Sequence, residues 1–358
     1  MSEAIHFGEK HRTSLMNYFA TQSDTENAFS HSLDMEFVGS DTVKVTEVAT
    51  SGLNNYDKTV DPSKGSRFGA VSEVGDYQYT FQLTQDVSLD RTIDRGNNNA
   101  QFNMKKVGQV MKAYMDKVIK PYVDAYRLGK WAKEAGIHYG VSAPTKATIA
   151  EQIITLHNLM TDAGVPEDGC RLYISREWMP TLKLSNEWIG LDSLGGKTLP
   201  KGFKGEFDGM AVKPVSSRKF PKDCYFAIFH KDSIIAPRKI NTFRGIKDSE
   251  NMDGDRLQFR MKHDAFVIPS LADGAAVACV SAKVLATPTI ALASGKATVT
   301  VADGAAAYYT LDGSDPRYQS ADLKVYSAAV TVPAGRTIRV CAKKDGMWTS
   351  AVAEATNE

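Results

Sequence analysis

The chain has no run of 18 apolar residues, so no segment has the character of a membrane-crossing helix. Its four cysteines, Cys170, Cys224, Cys279 and Cys341, are widely scattered and never spaced as CxxC. That usage fits free thiols in a reducing cytoplasm better than a disulfide frame or a zinc site. No basic stretch followed by an apolar run opens the N-terminus and no Asn-x-Ser/Thr acceptor occurs, so a secreted protein is not expected. Charge of one sign is missing too. The 43 Lys+Arg and 42 Asp+Glu leave a net charge of +1, which excludes a compact basic nucleic-acid module. What remains is 358 residues, 42% hydrophobic and 24% charged, enough for a sizeable core and about two domains.

Along the chain the texture changes several times. Thr21 to Ser32 is polar and reads as an extended or mobile arm. Val43, Val45 and Val48 lead into a Gly/Ser/Asn-rich stretch, after which Tyr77, Tyr79, Phe81 and Leu83 alternate with polar residues, as in a strand with two different faces. Ser88 to Ile93 alternates as well, and together these runs predict a long hairpin or projecting loop. From Asn103 to Ala135 the helical signal is strong. Val107, Met111, Met115, Val118, Tyr122, Ala125 and Gly129 form one stripe, and Pro121 predicts a kink or two helices nearly in line. A straight helix of that length would span about 50 Å. Its opposite side is mostly lysine, which reads as a solvated face or a surface for phosphate or an acidic neighbour. A second helix is predicted from Thr148 to Ala163, with Thr148 and Glu151 as a capping box and Gly164 as its end. Strand candidates follow at 171–175, 211–215, 225–229 and 265–268, with a turn into a short helix at 177–182 and a glycine-rich loop at 190–205. This middle is α+β. Beyond about residue 285 only short β-branched runs with recurrent turns remain, and they predict a small β-sandwich carrying seven basic and seven acidic residues.

Motifs for chemistry fail one by one. Gly195-Gly196-Lys197-Thr198 lacks the spacing and the strand–loop–helix frame of a phosphate-binding loop, and Asp248 to Asp255 lacks the ligand pattern of a calcium loop and reads as a turn between strands. The seven histidines, His6, His11, His31, His138, His157, His230 and His263, make no HExxH or H-x3-H spacing, and there is no G-x-S-x-G elbow. No catalytic, cofactor-binding or metal residue is singled out, no cofactor is expected, and the chain is not read as an enzyme. Trp131 is assigned to the core.

Two stretches carry resemblances. Tyr79-Thr80-Phe81-Gln82-Leu83-Thr84-Gln85-Asp86, then Thr92 to Asn99, then the long helix ending Pro121-Tyr122-Val123-Asp124-Ala125-Tyr126-Arg127 resemble a tailed-bacteriophage major capsid protein of the Hong Kong 97-type fold. Arg171 to Trp178, Arg256 to Arg260 and Ala265 to Ile268 fit the same order of elements over about residues 40–280. Tyr308-Tyr309-Thr310-Leu311-Asp312-Gly313-Ser314-Asp315-Pro316, with Tyr326 and Val340-Cys341-Ala342, resembles the C-terminal β-sandwich of chitobiases and β-hexosaminidases. There Asp312-Gly313 is expected to make a tight hairpin turn.

The resemblance implies an N-terminal arm (1–45), an E-loop hairpin (46–100), a peripheral domain with a spine helix (101–145), an axial domain (146–235), a return to the peripheral domain (236–285) and an immunoglobulin-like sandwich (286–358). It implies self-assembly as hexamers and pentamers into an icosahedral virion shell around double-stranded DNA, touched non-specifically, with assembly in the host bacterial cytoplasm and no membrane. A separate scaffolding protein (or scaffold residues already removed), a portal and minor decoration proteins are the expected partners. Residues 21–43 and 51–77 are expected to lie on neighbouring subunits and be poorly ordered in the monomer, and the sandwich to face outward as a decoration or to clamp neighbours. The alternatives are a tail-tube or portal subunit, or a secreted carbohydrate-binding or glycosidase protein.

Overall fold

A computed structural model describes residues 23–29, 36–39, 41–48, 55–60, 66–68, 73–100, 106–185, 188–190, 205–248, 250, 252–320 and 322–357. The Gly195–Thr198 motif, His6, His11 and His31, and parts of both segments assigned to neighbouring subunits lie outside the described residues.

Strands β1 (Glu36–Val38), β2 (Thr42–Val48) and β3 (Asp76–Gln82) form an antiparallel meander in that order. The partner of β3 is therefore β2, with Val45 opposite Tyr79. The alternating run after it, β4 (Gln85–Asp94), does not close a hairpin with β3 but enters another sheet. Alternation marks a two-faced strand without naming its neighbour, and here the chain turns away at Leu83, whose side chain packs into the hairpin's root.

Helix α1 (Arg95–Ala100) follows, its start capped by Asp94 Oδ1, which accepts the Asn97 amide at 2.8 Å. The long helix is α2 (Val107–Tyr114), a π-helical turn over Met115–Ile119, and α3 (Lys120–Lys133), continuous from one to the next. Pro121 has no N–H to offer the carbonyl one turn back, and the wide turn directly precedes it. That turn carries one residue more than an α-turn and rotates the buried face. From the end of that turn onward, Ile119, Val123, Leu128, Trp131 and Ala132 are buried, whereas Val118 and Tyr122 of the predicted stripe are 51% and 40% exposed.

Strand β5 (Ile137–Val141) leads to α4 (Ile149–Asp162). The predicted capping box is not formed: Thr148 Oγ1 accepts the Thr145 amide at 3.0 Å instead of capping its own helix. The C-terminus is as expected, with Gly164 at φ +87° and the Val165 amide reaching back to the Met160 carbonyl. Next come β6 (Cys170–Ser175), α5 (Met179–Lys183), β7 (Ile189–Gly190), β8 (Gly205–Phe207), β9 (Met210–Val215), β10 (Cys224–His230), β11 (Ile234–Ile235), β12 (Arg238–Ile246), β13 (Gly254–His263), β14 (Phe266–Val267) and β15 (Ala275–Val280).

A seven-stranded sheet, ordered β5-β15-β10-β6-β9-β8-β7, is the centre of the molecule. Alternation divides its side chains between two cores. Leu172, Ile174, Phe226, Ile228, Ala276 and Ala278 meet α4 through Ile149, Ile153, Leu156 and Met160. Tyr173, Ala227, Phe229, Val277 and Cys279 meet α3 through Leu128, Trp131 and Ala132. A second sheet, β12-β13-β4, places Phe259 and Met261 against Ile119 and Val123 of the long helix. Its other face pairs Arg256 with Asp90 and Arg260 with Asp86 across strands. The turn between β12 and β13 contains Asp248 and Asp253, both paired with Arg95.

The C-terminal strands are β16 (Thr289–Ala293), β17 (Lys296–Thr300), β18 (Ala306–Thr310), β19 (Lys324–Val325), β20 (Val330–Thr331), β21 (Thr337–Lys343) and β22 (Ala353–Thr356). They form two facing sheets, β16-β17-β20 and β19-β18-β21-β22, around Ala297, Val299, Val332, Ile338 and Val340. Asp312-Gly313 does not close a tight hairpin: β18 pairs with β19 across a longer loop, in which Thr310 Oγ1 donates to the Ser314 carbonyl at 2.6 Å.

Candidate assembly surfaces

The β2–β3 hairpin is rooted by an apolar cluster of Val43, Val45, Leu83, Ile235, Phe266 and Ile268. Phe81 stacks on Phe266 with ring centroids 4.7 Å apart. Beside the cluster, the buried Asp264 fastens three elements at once. Its Oδ2 accepts the Thr84 amide and hydroxyl, both at 2.8 Å, and its Oδ1 accepts the Tyr126 hydroxyl at 2.7 Å. Burial and this hydrogen bond raise the Tyr126 hydroxyl well above the ordinary tyrosine range, so it remains a donor. Farther out, Asp57 N–H donates to the Arg67 carbonyl at 2.9 Å, and Tyr56 packs edge-on against Phe68. Those two rings are 50% and 76% exposed. A rigid base and an aromatic outer end suit contact with another surface.

The arm segment Ser23–Phe29 is seated in its own subunit, contrary to its reading as mobile or lying on a neighbour. Ala28 and Phe29 are buried beside Trp131, and Arg127 lies over the Phe29 ring. Polarity in the sequence concealed this, because the segment's polar groups meet polar groups buried with them. Asp124, fully buried on α3, accepts Ser23 Oγ at 2.7 Å, Thr25 Oγ1 at 2.8 Å and the Asp24 amide at 3.0 Å. Lys219 Nζ bridges Asp124 at 2.9 Å and Asp24 at 2.8 Å. Burial by itself would raise the Asp124 carboxyl, but the Asp24 amide, the Ser23 hydroxyl and the Lys219 ammonium together hold it below the usual aspartate range. Arg127 reaches Glu26 at 3.1 Å, and Arg238 pairs with the same carboxylate.

The sandwich is docked by the loop after β18. Arg317 donates to Asp315 and to the Gly136 carbonyl, and lies 3.4 Å from Asp273. The Tyr318 hydroxyl donates to the Glu134 carbonyl at 2.5 Å. Gly136 has no room for a side chain, since an added Cβ would lie 2.4 Å from the Ala272 carbonyl oxygen. Trp348 stacks on His138 with centroids 5.4 Å apart, and its backbone N–H donates to the Lys283 carbonyl at 2.7 Å. Tyr318 and Trp348 thereby extend the α3 side of the central core. Neither residue carries a sequence signal: the sandwich resemblance rests on Tyr308 to Pro316, Tyr326 and Val340 to Ala342, and nothing there marks which residues face outward.

On the long helix, Lys106, Lys112, Lys117 and Lys133 are exposed, whereas Lys120 pairs with Asp116 and Lys130 with Glu134. His157 Nδ1 lies 2.6 Å from Asp208 Oδ2 in the tight turn between β8 and β9. His230 contacts the Asp168 carbonyl, and His263 is buried against Tyr122 and Tyr126. Among the described residues no three His, Cys, Asp or Glu side chains gather as a metal site.

Residues 290–354 match the family described as the chitobiase/beta-hexosaminidase C-terminal domain. No curated protein matches the chain. Among solved structures, a chain of Mycobacterium phage Che8 is similar over 76% of this chain and 96% of that chain, with TM-score 0.54 and 16% identity. The capsid of Cyanophage P-SCSP1u is similar over 76% of this chain and 93% of that chain, with TM-score 0.57 and 12% identity. The mature capsid of bacteriophage PhiM1 is similar over 76% and 91%, with TM-score 0.53 and 12% identity. The fold of the chain is that of these phage capsid subunits, the Hong Kong 97-type fold, with an immunoglobulin-like sandwich at its C-terminus.

Proposed function

We propose that this chain is a major capsid protein, a subunit that assembles into the icosahedral shell of a tailed bacteriophage around double-stranded DNA. The observation that carries the reading is the shared fold, which takes in 76% of this chain and 93% of the cyanophage capsid chain. A projecting hairpin with exposed aromatics and a rod-like helix supply what a shell subunit needs, reach and rigidity. Hexamers and pentamers of the chain are the assembly units. Scaffolding protein, portal and minor decoration proteins are the proposed partners in the host cytoplasm, and the virion is its final location. The subunit works by geometry and has no catalytic role.

The near balance of 43 basic and 42 acidic residues suits a container, since strong attraction would hold the genome to the wall. Exposed lysines on the long helix allow weak, non-specific contact with DNA. We place the arm at 1–45, the E-loop at 46–83, the peripheral domain at 84–145 and 236–285, since β4 joins the sheet packed on the long helix, the axial domain at 146–235 and the sandwich at 286–358. The sandwich, facing outward, is carried as a fixed decoration through Arg317, Tyr318 and Trp348. Negative-stain microscopy of the protein co-expressed with its scaffold tests the proposal. Closed shells support it, whereas tubes, rings or carbohydrate-binding monomers overturn it.

A further inference from the structure

Two of the scattered cysteines meet in the fold. Cys224 opens β10 and Cys279 lies near the end of β15, and the two are direct partners across the antiparallel ladder. Their sulfurs are 3.4 Å apart, and both thiols are free. The register shows how this comes about. From Phe226 to Phe229 the strands pair without interruption, a course that would set Tyr225 opposite Cys279. A bulge at Tyr225 inserts one extra residue and brings Cys224 opposite Cys279 instead, on the face shared with Ala227 and Val277. Tyr225 stays on the other face, toward α4. Beyond the pair, the Val280 amide donates to the Asp223 carbonyl at 2.9 Å and closes the end of the ladder.

We infer that Cys224 and Cys279 are a disulfide-forming site, oxidised by a small disulfide such as glutathione disulfide. Directly opposed residues of antiparallel strands have Cα atoms about 4.5–5.5 Å apart, inside the range of about 4.4–6.8 Å that a disulfide spans. The sulfurs must close from 3.4 Å to about 2.05 Å, a movement that side-chain rotation supplies.

The two thiols have different parts. Cys224 is 8% exposed and follows the turn at Asp223, where φ is +61°, whereas Cys279 is fully buried. Cys224, the sulfur nearer solvent, is the one a small disulfide reaches first, while burial, then the hydrogen bond to Cys224, push the Cys279 thiol far up. Cys224 loses its proton and attacks one sulfur of glutathione disulfide. That S–S bond breaks, and one glutathione leaves as a thiolate that takes up a proton. Cys279 then attacks the Cys224 sulfur of the mixed disulfide, and the second glutathione leaves carrying the Cys279 proton. Two thiols are oxidised and one glutathione disulfide is reduced to two glutathiones. Cys170 on β6 and Cys341 on β21 are not part of this site: they donate to the carbonyls of Pro166 at 3.4 Å and Pro316 at 3.3 Å, whereas Cys279, which also donates to the Val277 carbonyl at 3.8 Å, has the Cys224 sulfur beside it.

The test oxidises the folded full-length protein with glutathione disulfide, alkylates the remaining thiols, and maps linked peptides by mass spectrometry without reduction. The expected result is loss of two of the four thiols and a Cys224–Cys279 peptide pair about 2 Da lighter than its reduced parts. The same oxidation in urea should scatter the links over all four cysteines. In Cys279→Ser the reaction should stop at one glutathione on Cys224. Unreacted thiols, glutathione persisting on Cys224 of the wild type, or an equal yield of the same link in urea would each overturn the inference.

Discussion

Asp124 and Lys219, 95 residues apart, meet at 2.9 Å inside the molecule and hold the arm segment on the long helix between them. Asp124 accepts five hydrogen bonds there, from Ser23, Asp24, Thr25 (amide and hydroxyl) and Lys219. Asp124→Ala would leave the Lys219 ammonium only one of its two carboxylates, Asp24, and would strand the buried Thr25 hydroxyl as a donor. Breaking a buried pair in that way costs about 3–5 kcal/mol. Denaturant titration should show that loss, and hydrogen exchange should show residues 23–29 released. Protection of those residues unchanged in the variant would refute the clamp.

Acid should loosen the same clamp. The Asp124 carboxyl sits below the ordinary aspartate value of 3.8, and the Glu26 carboxyl below 4.5. For Glu26, burial opposes the shift and Arg127 and Arg238 outweigh it. Groups with depressed folded values contribute fully above their unfolded values and lose that contribution as pH falls through the folded ones. Exchange protection of the arm should hold at pH 6 and fall below about pH 4.

Two histidines make the molecule as a whole acid-sensitive over a higher window. Burial first, then nearby arginines, lower His138 and His263 from 6.5 to about 4. Both are neutral when folded and take up a proton on unfolding, so stability is complete above pH 6.5 and falls toward pH 4. At about 1.4 kcal/mol per pH unit each contributes about 3 kcal/mol across that window. Urea midpoints measured from pH 7 to pH 4 should show the decline, and a double His138→Gln, His263→Gln variant should flatten it.

The π-helical turn makes a prediction that the helical stripe reverses. Ile119 is buried against Phe259 and Met261, whereas Val118 faces solvent. Ile119→Ala should cost about 2–4 kcal/mol, and Val118→Ala should stay within about 0.5 kcal/mol. Thermal denaturation of the two variants distinguishes the registers, and equal losses would sink the rotated one.

Arg317 ties the sandwich to the rest of the chain, with its side chain 10% exposed and Asp315 11% exposed. Arg317→Ala leaves Asp315 buried without its partner, a loss of about 3 kcal/mol. Calorimetry should resolve a separate transition for the sandwich in that variant, and limited proteolysis should cut near residues 281–288. A single unchanged transition would show that Trp348 and Tyr318 suffice.

Local pattern is legible in the residues themselves. The helices at 107–133 and 149–162, the buried strands at 170–175 and 224–230 and the sandwich are all visible as periodicity, caps and turns, because each depends on neighbours within a few residues. Even Pro121 announces a disturbance, though whether the helix bends or widens depends on what it packs against. The order of elements is enough to suggest a capsid fold.

Partners distant in sequence were decided only by the tertiary structure. Val45 faces Tyr79 and not a residue of β4, a polar arm is seated on Asp124, and a one-residue bulge sets Cys224 against Cys279. In each case the residue types were plain but the pairing was not. A strand's alternation, a buried carboxylate's need for donors and a thiol's reach are satisfied by whatever the fold brings within a few ångströms, and sequence separation carries no record of that distance.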